Sequence, residues 1–374
     1  MLAFPRLLIA TTLVVMSHWL SIPLYALTLE ARGETGLFIG CFVAMPSAML
    51  LLGMGFLPKL TSHLGVGRAF RVGVAINLLM TALLYVSDNV WLWLAAASMI
   101  GLGNGFFWVA SESWLAQIVK DDQRGRTIGM VETFVGLAMA AAALLVALIN
   151  ARFQFGVLIM MGCNLFALLL MTGLSDPASG AHASDETSLS YLHILRLCPL
   201  LFSASLLGGF SEGLAAPMFP LLGVAKGLSA QQATLLMSLI GIVNIASQYP
   251  IGYCCDRWHE SRVFHLCIML AIAGALSMAL LPLVYLAVGV TIWALGVGSG
   301  YTLAIIVAGR YFSGGTRVAA MALTLIGYNL GTILGPIVGG AALDYFGASG
   351  ISIVLILACV LAWPFIRAPQ ARLA

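Results

Sequence analysis

"SHWLSIPLYALTLEARG", residues 17–33, and "SEGLAAPMFPLLGVAKG", residues 211–227, are one passage written twice at an offset of 194. Ser17 falls on Ser211, Leu20 on Leu214, Pro23 on Pro217, Leu27 on Leu221, Ala31 on Ala225, Arg32 on Lys226 and Gly33 on Gly227. Two other matches keep nearly the same spacing. "GNGFFW" (103–108) lies over "GSGYTL" (298–303) at offset 195, and Arg126, Met130 and Gly136 lie over Arg317, Met321 and Gly327 at offset 191. Self-similarity at a long, nearly constant offset marks a duplicated architecture. The chain therefore reads as two halves built on one plan.

What is duplicated follows from composition. Only 8% of the 374 residues are charged, 61% are hydrophobic and the mean hydropathy is +1.04, values of a polytopic membrane protein that exclude a water-soluble fold. Crossing hydrocarbon takes about 20 mainly apolar residues per helix. Twelve such spans are expected: 7–29, 36–58, 70–87, 91–117, 127–149, 154–174, 197–222, 231–252, 263–285, 288–309, 318–341 and 350–366. They leave no room for a soluble catalytic or nucleotide-binding domain, and no G-x-x-x-x-G-K-[ST] phosphate loop is present, which argues against an ATP-driven pump. The stretch after Arg6 is too long for a signal-peptide core and no small-x-small cleavage site follows it, so it is expected to stay as the first span.

The basic residues set the expected orientation. With the N-terminus inside, fourteen lysines and arginines fall on the cytoplasmic side and only Arg32, Arg152 and Lys226 fall outside, which predicts N-in and C-in. The +3 net charge is thus an orientation signal and does not point to nucleic acid. The seven cysteines lie in spans or at the cytoplasmic edge, where thiols stay reduced. "SDPASGAHASDETS" (175–188) is the one long polar stretch between spans and reads as a flexible cytoplasmic linker. The expected organisation is a six-helix half at 1–174, the linker at 175–189 and a second half at 190–374.

A charge near the bilayer centre persists where it faces a cavity or has a partner. Glu112 lies roughly 12 Å from the cytoplasmic end of the fourth span, and Glu132 at a similar depth in the fifth, counting about 1.5 Å per residue. Both could belong to a structural charge network with Gln117, Arg124 or Arg126. His18 and Glu212 fall near the middle of spans one and seven, at matching repeat positions five residues before Pro23 and Pro217. No basic residue is near Glu212 in sequence, so a proton-coupling role suits it. The two prolines can interrupt their helices beside a cavity, since neighbours and water re-satisfy the freed backbone groups. Asn104, Asn244, Gln248, Tyr328 and Asn329 are polar groups inside spans that either bond across helices or, for Tyr328 and Asn329, touch a solute. Trp108 and Trp114 either stack a flat ligand or sit in the interface belt.

"GFLPKLTSHLGVGRAFRVG" (55–73) resembles the loop motif joining the second and third helices of the major facilitator transporters, without its usual Asp. "GYCCDRWHESR" (252–262) resembles the same motif in the second half, with Asp256 and Arg257 retained as a gating loop. "ESWLAQIVKDDQRGR" (112–126) and "GYNLGTILGPIVGG" (327–340) resemble the branch of small bacterial facilitators that includes the CcoA-like copper importers. The resemblance implies two parallel six-helix repeats, a site near the midplane and alternating access. It also implies that spans 1, 4, 7 and 10 line the cavity, which places His18, Glu112 and Glu212 on lining helices.

The copper branch carries a Met-x3-Met pair followed by a His-x3-Met pair, and this chain is similar at Met237, His265 and Met269 but has Gly241 where a second methionine would stand. Met45 and Met49 form such a pair elsewhere. Thioether and imidazole suit Cu(I). Depth resists a closed site: Met237 lies roughly 25 Å from the cytoplasmic face, and His265 and Met269 roughly 5 and 10 Å, at about 1.5 Å per residue. These residues would be successive stations on a path. Cys254 and Cys255 either receive the metal on exit or are simply buried thiols.

The sequence therefore predicts an all-α membrane protein of the bacterial inner membrane, not an enzyme, with no cofactor. It would be a monomer embedded in the lipid bilayer. Its cargo would be copper, for assembling a haem-copper oxidase, or a small organic solute such as riboflavin, a metabolite or a drug moved with protons. An intramembrane enzyme would need a nucleophile and base together, and only isolated acids are present.

Overall fold

A helix bonds all its interior backbone groups to itself, which hydrocarbon demands of any lone crossing segment. The computed structural model describes residues 3–118, 124–173, 189–298 and 300–367, and every regular element among them is helical. The first part of the chain forms α1 (Ala3–Ala31), α2 (Gly36–Gly53), α3 (Leu57–Leu64), α4 (Val66–Val86), α5 (Val90–Ile118), α6 (Arg124–Leu148) and α7 (Phe153–Leu170). The second part forms α8 (Tyr191–Leu197), α9 (Pro199–Ala225), α10 (Ala230–Arg257), α11 (Glu260–Leu280), α12 (Leu286–Val297), α13 (Gly300–Tyr311), α14 (Gly314–Phe346) and α15 (Ala348–Ala362).

Among the described residues ten helices are long and apolar enough to cross a membrane, and α8 with α9 makes an eleventh, bent by 98°. The remaining expected span, the fifth, is α6. Two local features depart from a plain reading. Pro23, Pro217 and Pro220 sit inside unbroken helices, so the expected interruptions do not occur: a proline removes one N–H, and the flanking bonds of a long helix carry the chain past it. Pro199 opens α9 instead. The residue before it, Cys198, takes φ −139° and ψ 71°, outside the helical region that a following proline disfavours, and α8 ends there. The tenth expected span carries α12 and α13, and Ser299 between them lies outside the described residues.

The chain folds as two compact units. Unit 1 is Met1–Gly33, Phe42–Ala181 and Ser229–Ser238; unit 2 is Glu34–Cys41, His182–Leu228 and Leu239–Ala374. The expected linker lies outside the described residues except for Leu189, whose N–H donates to the Thr316 hydroxyl at 3.4 Å.

In unit 1, α1 packs on α6 and α7, and α4 packs on α5 and α7, around a core that includes Leu7, Val14, Phe70, Val74, Phe107 and Trp114. In unit 2 the principal pairs are α9 with α14 and α11 with α12. Small residues let membrane helices approach closely, and α14 carries Gly327, Gly331, Gly335 and Gly339 at four-residue spacing against α9. A β-carbon added at Gly213 of α9 would lie 2.7 Å from the Thr332 Cα, and one at Gly209 would collide with the Tyr328 carbonyl.

The repeat is visible in the packing. Gly33 and Gly227 both have positive φ, 82° and 98°, the left-handed geometry that favours glycine after a helix end. The preceding cations do the same work in each unit. Arg32 donates to the Asp88 carbonyl at 3.0 Å, just past α4, and stacks 4.1 Å over the Trp93 ring; Lys226 donates to the Met278 carbonyl in the last turn of α11 at 2.7 Å. A cation at a helix C-terminus meets the negative end of its dipole.

Candidate functional site

The matched helices α1 and α9 each carry an ionisable side chain into a polar nest of their own unit. In unit 1, His18 Nδ1 lies 3.3 Å from the Asn104 amide nitrogen of α5, and Asn77 of α4 donates to Asn104 Oδ1 at 2.8 Å. One residue earlier, Ser17 accepts from Asn164 of α7 at 2.9 Å. Asn77 and Asn164 are buried, and the carbonyl oxygen of each has no hydrogen-bond partner. The nest thus holds two buried acceptors that no donor among the described residues meets.

In unit 2, Glu212 stands between Gly209 and Gly213, the two glycines that bring α9 against the α14 backbone. That approach delivers Tyr328 of α14, whose hydroxyl hydrogen-bonds the Glu212 carboxylate. The Tyr328 ring lies 4.9 Å from the ring of Tyr301, at the start of α13. Among the described residues no cation pairs with Glu212. A half-buried carboxylate held by a phenol can take and lose a proton without breaking a salt bridge.

Next to this nest α10 is bonded to the tenth span. Gln248 donates to the Gly298 carbonyl at 3.2 Å and accepts from the Thr302 hydroxyl at 2.5 Å. Asn244, one turn earlier, lies against Gly298 with its buried carbonyl oxygen unpartnered. Asn329 does not reach a second helix: its amide donates to Leu325 of its own helix at 2.9 Å.

The remaining expected site residues divide. Glu112 is exposed on α5 and is engaged by a neighbouring group. Glu132 lies on α6, but its side chain is outside the described residues, as are Gln117, Arg124 and Arg126. Trp114 is 2% exposed and belongs to the unit 1 core, and Trp108 packs edge-on against Phe107. Met237 is buried in unit 1. In unit 2, the His265 ring is bonded through Nδ1 to the Ser261 carbonyl at 2.6 Å and set edge-on against Trp363, while Met269 is 53% exposed.

Asp256 belongs to a network whose centre the sequence did not reveal. Arg310 of α13 reaches Asp256 at 3.6 Å, the Cys255 carbonyl at 3.0 Å and the carboxylate of Glu260. Tyr311 donates to the other Glu260 oxygen at 2.9 Å. Glu260 is 1% exposed and opens α11, where a carboxylate also favours the helix dipole. Arg257 instead lies 4.3 Å over the Tyr253 ring. The sequence carried no distinct signal for this network, because Arg310 follows the tenth expected span among the orientation charges.

A duplicated set of membrane helices holding isolated polar nests is a construction that solute transporters use. Residues 7–197 and 201–373 match the family model of the Major Facilitator Superfamily, and the chain belongs to that family. It is 24% identical over 365 residues to the uncharacterized MFS-type transporter YfkF of Bacillus subtilis (strain 168), covering 93% of this chain and 90% of the relative. It is 26% identical over 281 residues to the uncharacterized MFS-type transporter YcaD of Escherichia coli O45:K1, covering 73% and 71%. Its fold is similar to the crystal structures of the nucleoside transporter NupG (TM-score 0.77, 14% identity, 97% of both chains) and of a D-xylose-proton symporter (TM-score 0.75, 12% identity, 97% of both chains).

Proposed function

We propose that this facilitator moves a small polar organic solute together with protons by alternating access, in the inner membrane of a bacterium with both termini in the cytoplasm. The observation that carries the reading is Glu212, bonded to a tyrosine hydroxyl with no cation on it among the described residues, at the repeat position of His18. A carboxylate so placed binds a proton in one stage of the cycle and releases it in another. Within the same unit, the tyrosine pair Tyr301 and Tyr328 beside it suits a polar organic solute with a flat face. The fold neighbours described as a nucleoside transporter and a sugar–proton symporter support that class. The bacterial relatives and the distribution of basic residues support the location and orientation.

Copper import is the narrower reading, and its donor set is poorly presented: His265 Nδ1 is engaged by Ser261, and Met269 is exposed. The test is made in proteoliposomes with a panel of nucleosides, sugars and vitamins, and with copper as a separate arm. Glu212→Gln should abolish accumulation driven by a proton gradient while solute exchange at equal concentrations persists. Equal loss of both in a folded variant, or copper uptake abolished by Met237→Ala, would overturn the proposal.

A further inference from the structure

The N-terminal turns of α2 and α10 are repeat partners: Thr35 and Ser229 both follow the matched glycines Gly33 and Gly227 by two residues. A helix start leaves backbone N–H groups without helical acceptors, and the two repeats solve this differently. At α10 the solution is local. Ser229 accepts from the Gln232 N–H at 3.2 Å, and Gln232 Oε1 accepts from the Ser229 N–H at 3.1 Å, a reciprocal capping box.

At α2 the corresponding position is Phe38, which has no side-chain acceptor to give back. Thr35 accepts from the Phe38 N–H at 3.2 Å, and the two preceding donors go elsewhere. Gly36 N–H donates to Asp344 Oδ1 at 2.6 Å, and Leu37 N–H donates to Oδ2 at 2.8 Å. Asp344 lies near the end of α14, 308 residues from Gly36 in sequence. Below this contact the two backbones touch without side chains between them: a β-carbon at Gly36 would lie 2.6 Å from the Gly340 carbonyl, and one at Gly40 would collide with the Pro336 carbonyl.

We propose that Asp344 is a gating residue, a reversible latch that holds the first turn of α2 on α14 in one stage of the transport cycle and releases it in the other. The contact is suited to opening. Its glycine faces carry no interlocking side chains, Asp344 is solvent-exposed, and water replaces the carboxylate on two N–H groups at a helix end. The contact is equally suited to closing: a carboxylate facing the positive end of a helix with one bond to each oxygen is a charge-assisted pair.

The inference rests on the alternating-access reading, and its test needs no solute, so it can fail while transport stands. Spin labels are placed on native Cys41 of α2 and on Phe346→Cys of α14, both exposed, in the full-length protein in lipid nanodiscs with the other six cysteines replaced. Pulsed dipolar spectroscopy should give a short and a long distance. In Asp344→Asn the ratio of short to long should fall by about tenfold, the equivalent of losing one charged hydrogen bond. Asp344→Glu should recover part of it. Leu37→Pro deletes one donor while leaving the aspartate in place and should shift the ratio in the same direction, which covers the case where the asparagine variant does not fold. One short distance, unchanged in both variants, would overturn the proposal.

Discussion

Glu260 is a buried charge held by two residues of α13, Arg310 on one oxygen and Tyr311 on the other. Removing the partner of a buried charge costs more than the pair is worth, because the remaining charge stays desolvated. Arg310→Ala should therefore destabilise the protein by about 3 kcal/mol, the lower end for such cases since Arg310 itself is partly exposed, with a lowered apparent Tm in detergent. Arg310→Ala combined with Glu260→Gln should recover part of the loss, and a double variant no better than the single would contradict this account. On the other side of the repeat, Asn104 joins His18 to Asn77. Asn104→Leu strands a buried amide and should cost about 1–3 kcal/mol, read as a lower Tm. These networks explain what the sequence did and did not yield. His18 and Glu212 were legible because an ionisable residue inside an apolar run is conspicuous by itself. Glu260 with Arg310, 50 residues apart, looked like ordinary loop and orientation charges, because the pairing exists only once α11 and α13 are folded side by side.

At the scale of helices, close approach decides what each position tolerates. Gly209 meets the Tyr328 carbonyl of α14, so a side chain there must push the helices apart. Gly209→Val should cost about 1–3 kcal/mol or more by overpacking and reduce the yield of folded protein. Gly252 of α10 has nothing within 4 Å of an added β-carbon, so Gly252→Ala should be neutral or stabilising by up to about 1 kcal/mol. Equal effects of the two substitutions would mean that helix propensity, and not the α9–α14 contact, sets the cost. The apolar runs identified the spans, yet they did not expose the elbow at Cys198–Pro199, since it does not change the hydrophobic content. α3 escaped for the opposite reason: it is short and polar, and only Leu57 and Thr61 are buried.

For the whole molecule, the apolar runs carried the helix count, and the offset of 194 pointed to the matched ends of α1 and α9. The cargo was not readable that way, because soft side chains are also ordinary packing material in membrane helices, as the exposed Met269 illustrates. Orientation is open to a direct check. A green fluorescent protein fused after Ala374 should fluoresce and an alkaline phosphatase fused there should be inactive, the reverse pattern contradicting the charge-based assignment.

The two bonds that Gln248 makes to the tenth span have a mechanical side. A helix resists bending through its ladder of backbone bonds, and here one amide of α10 adds a second tie, from the Gly298 carbonyl to the Thr302 hydroxyl. The span should behave as a beam clamped at one point by a side chain of α10. Gln248→Leu should loosen the clamp, visible as faster hydrogen exchange at Tyr301 and Thr302 while the first turns of α12 are unaffected. It would also alter how readily α13 carries Tyr301 away from Tyr328. Compliance in this fold would then be adjustable by one residue that touches neither proton nor solute.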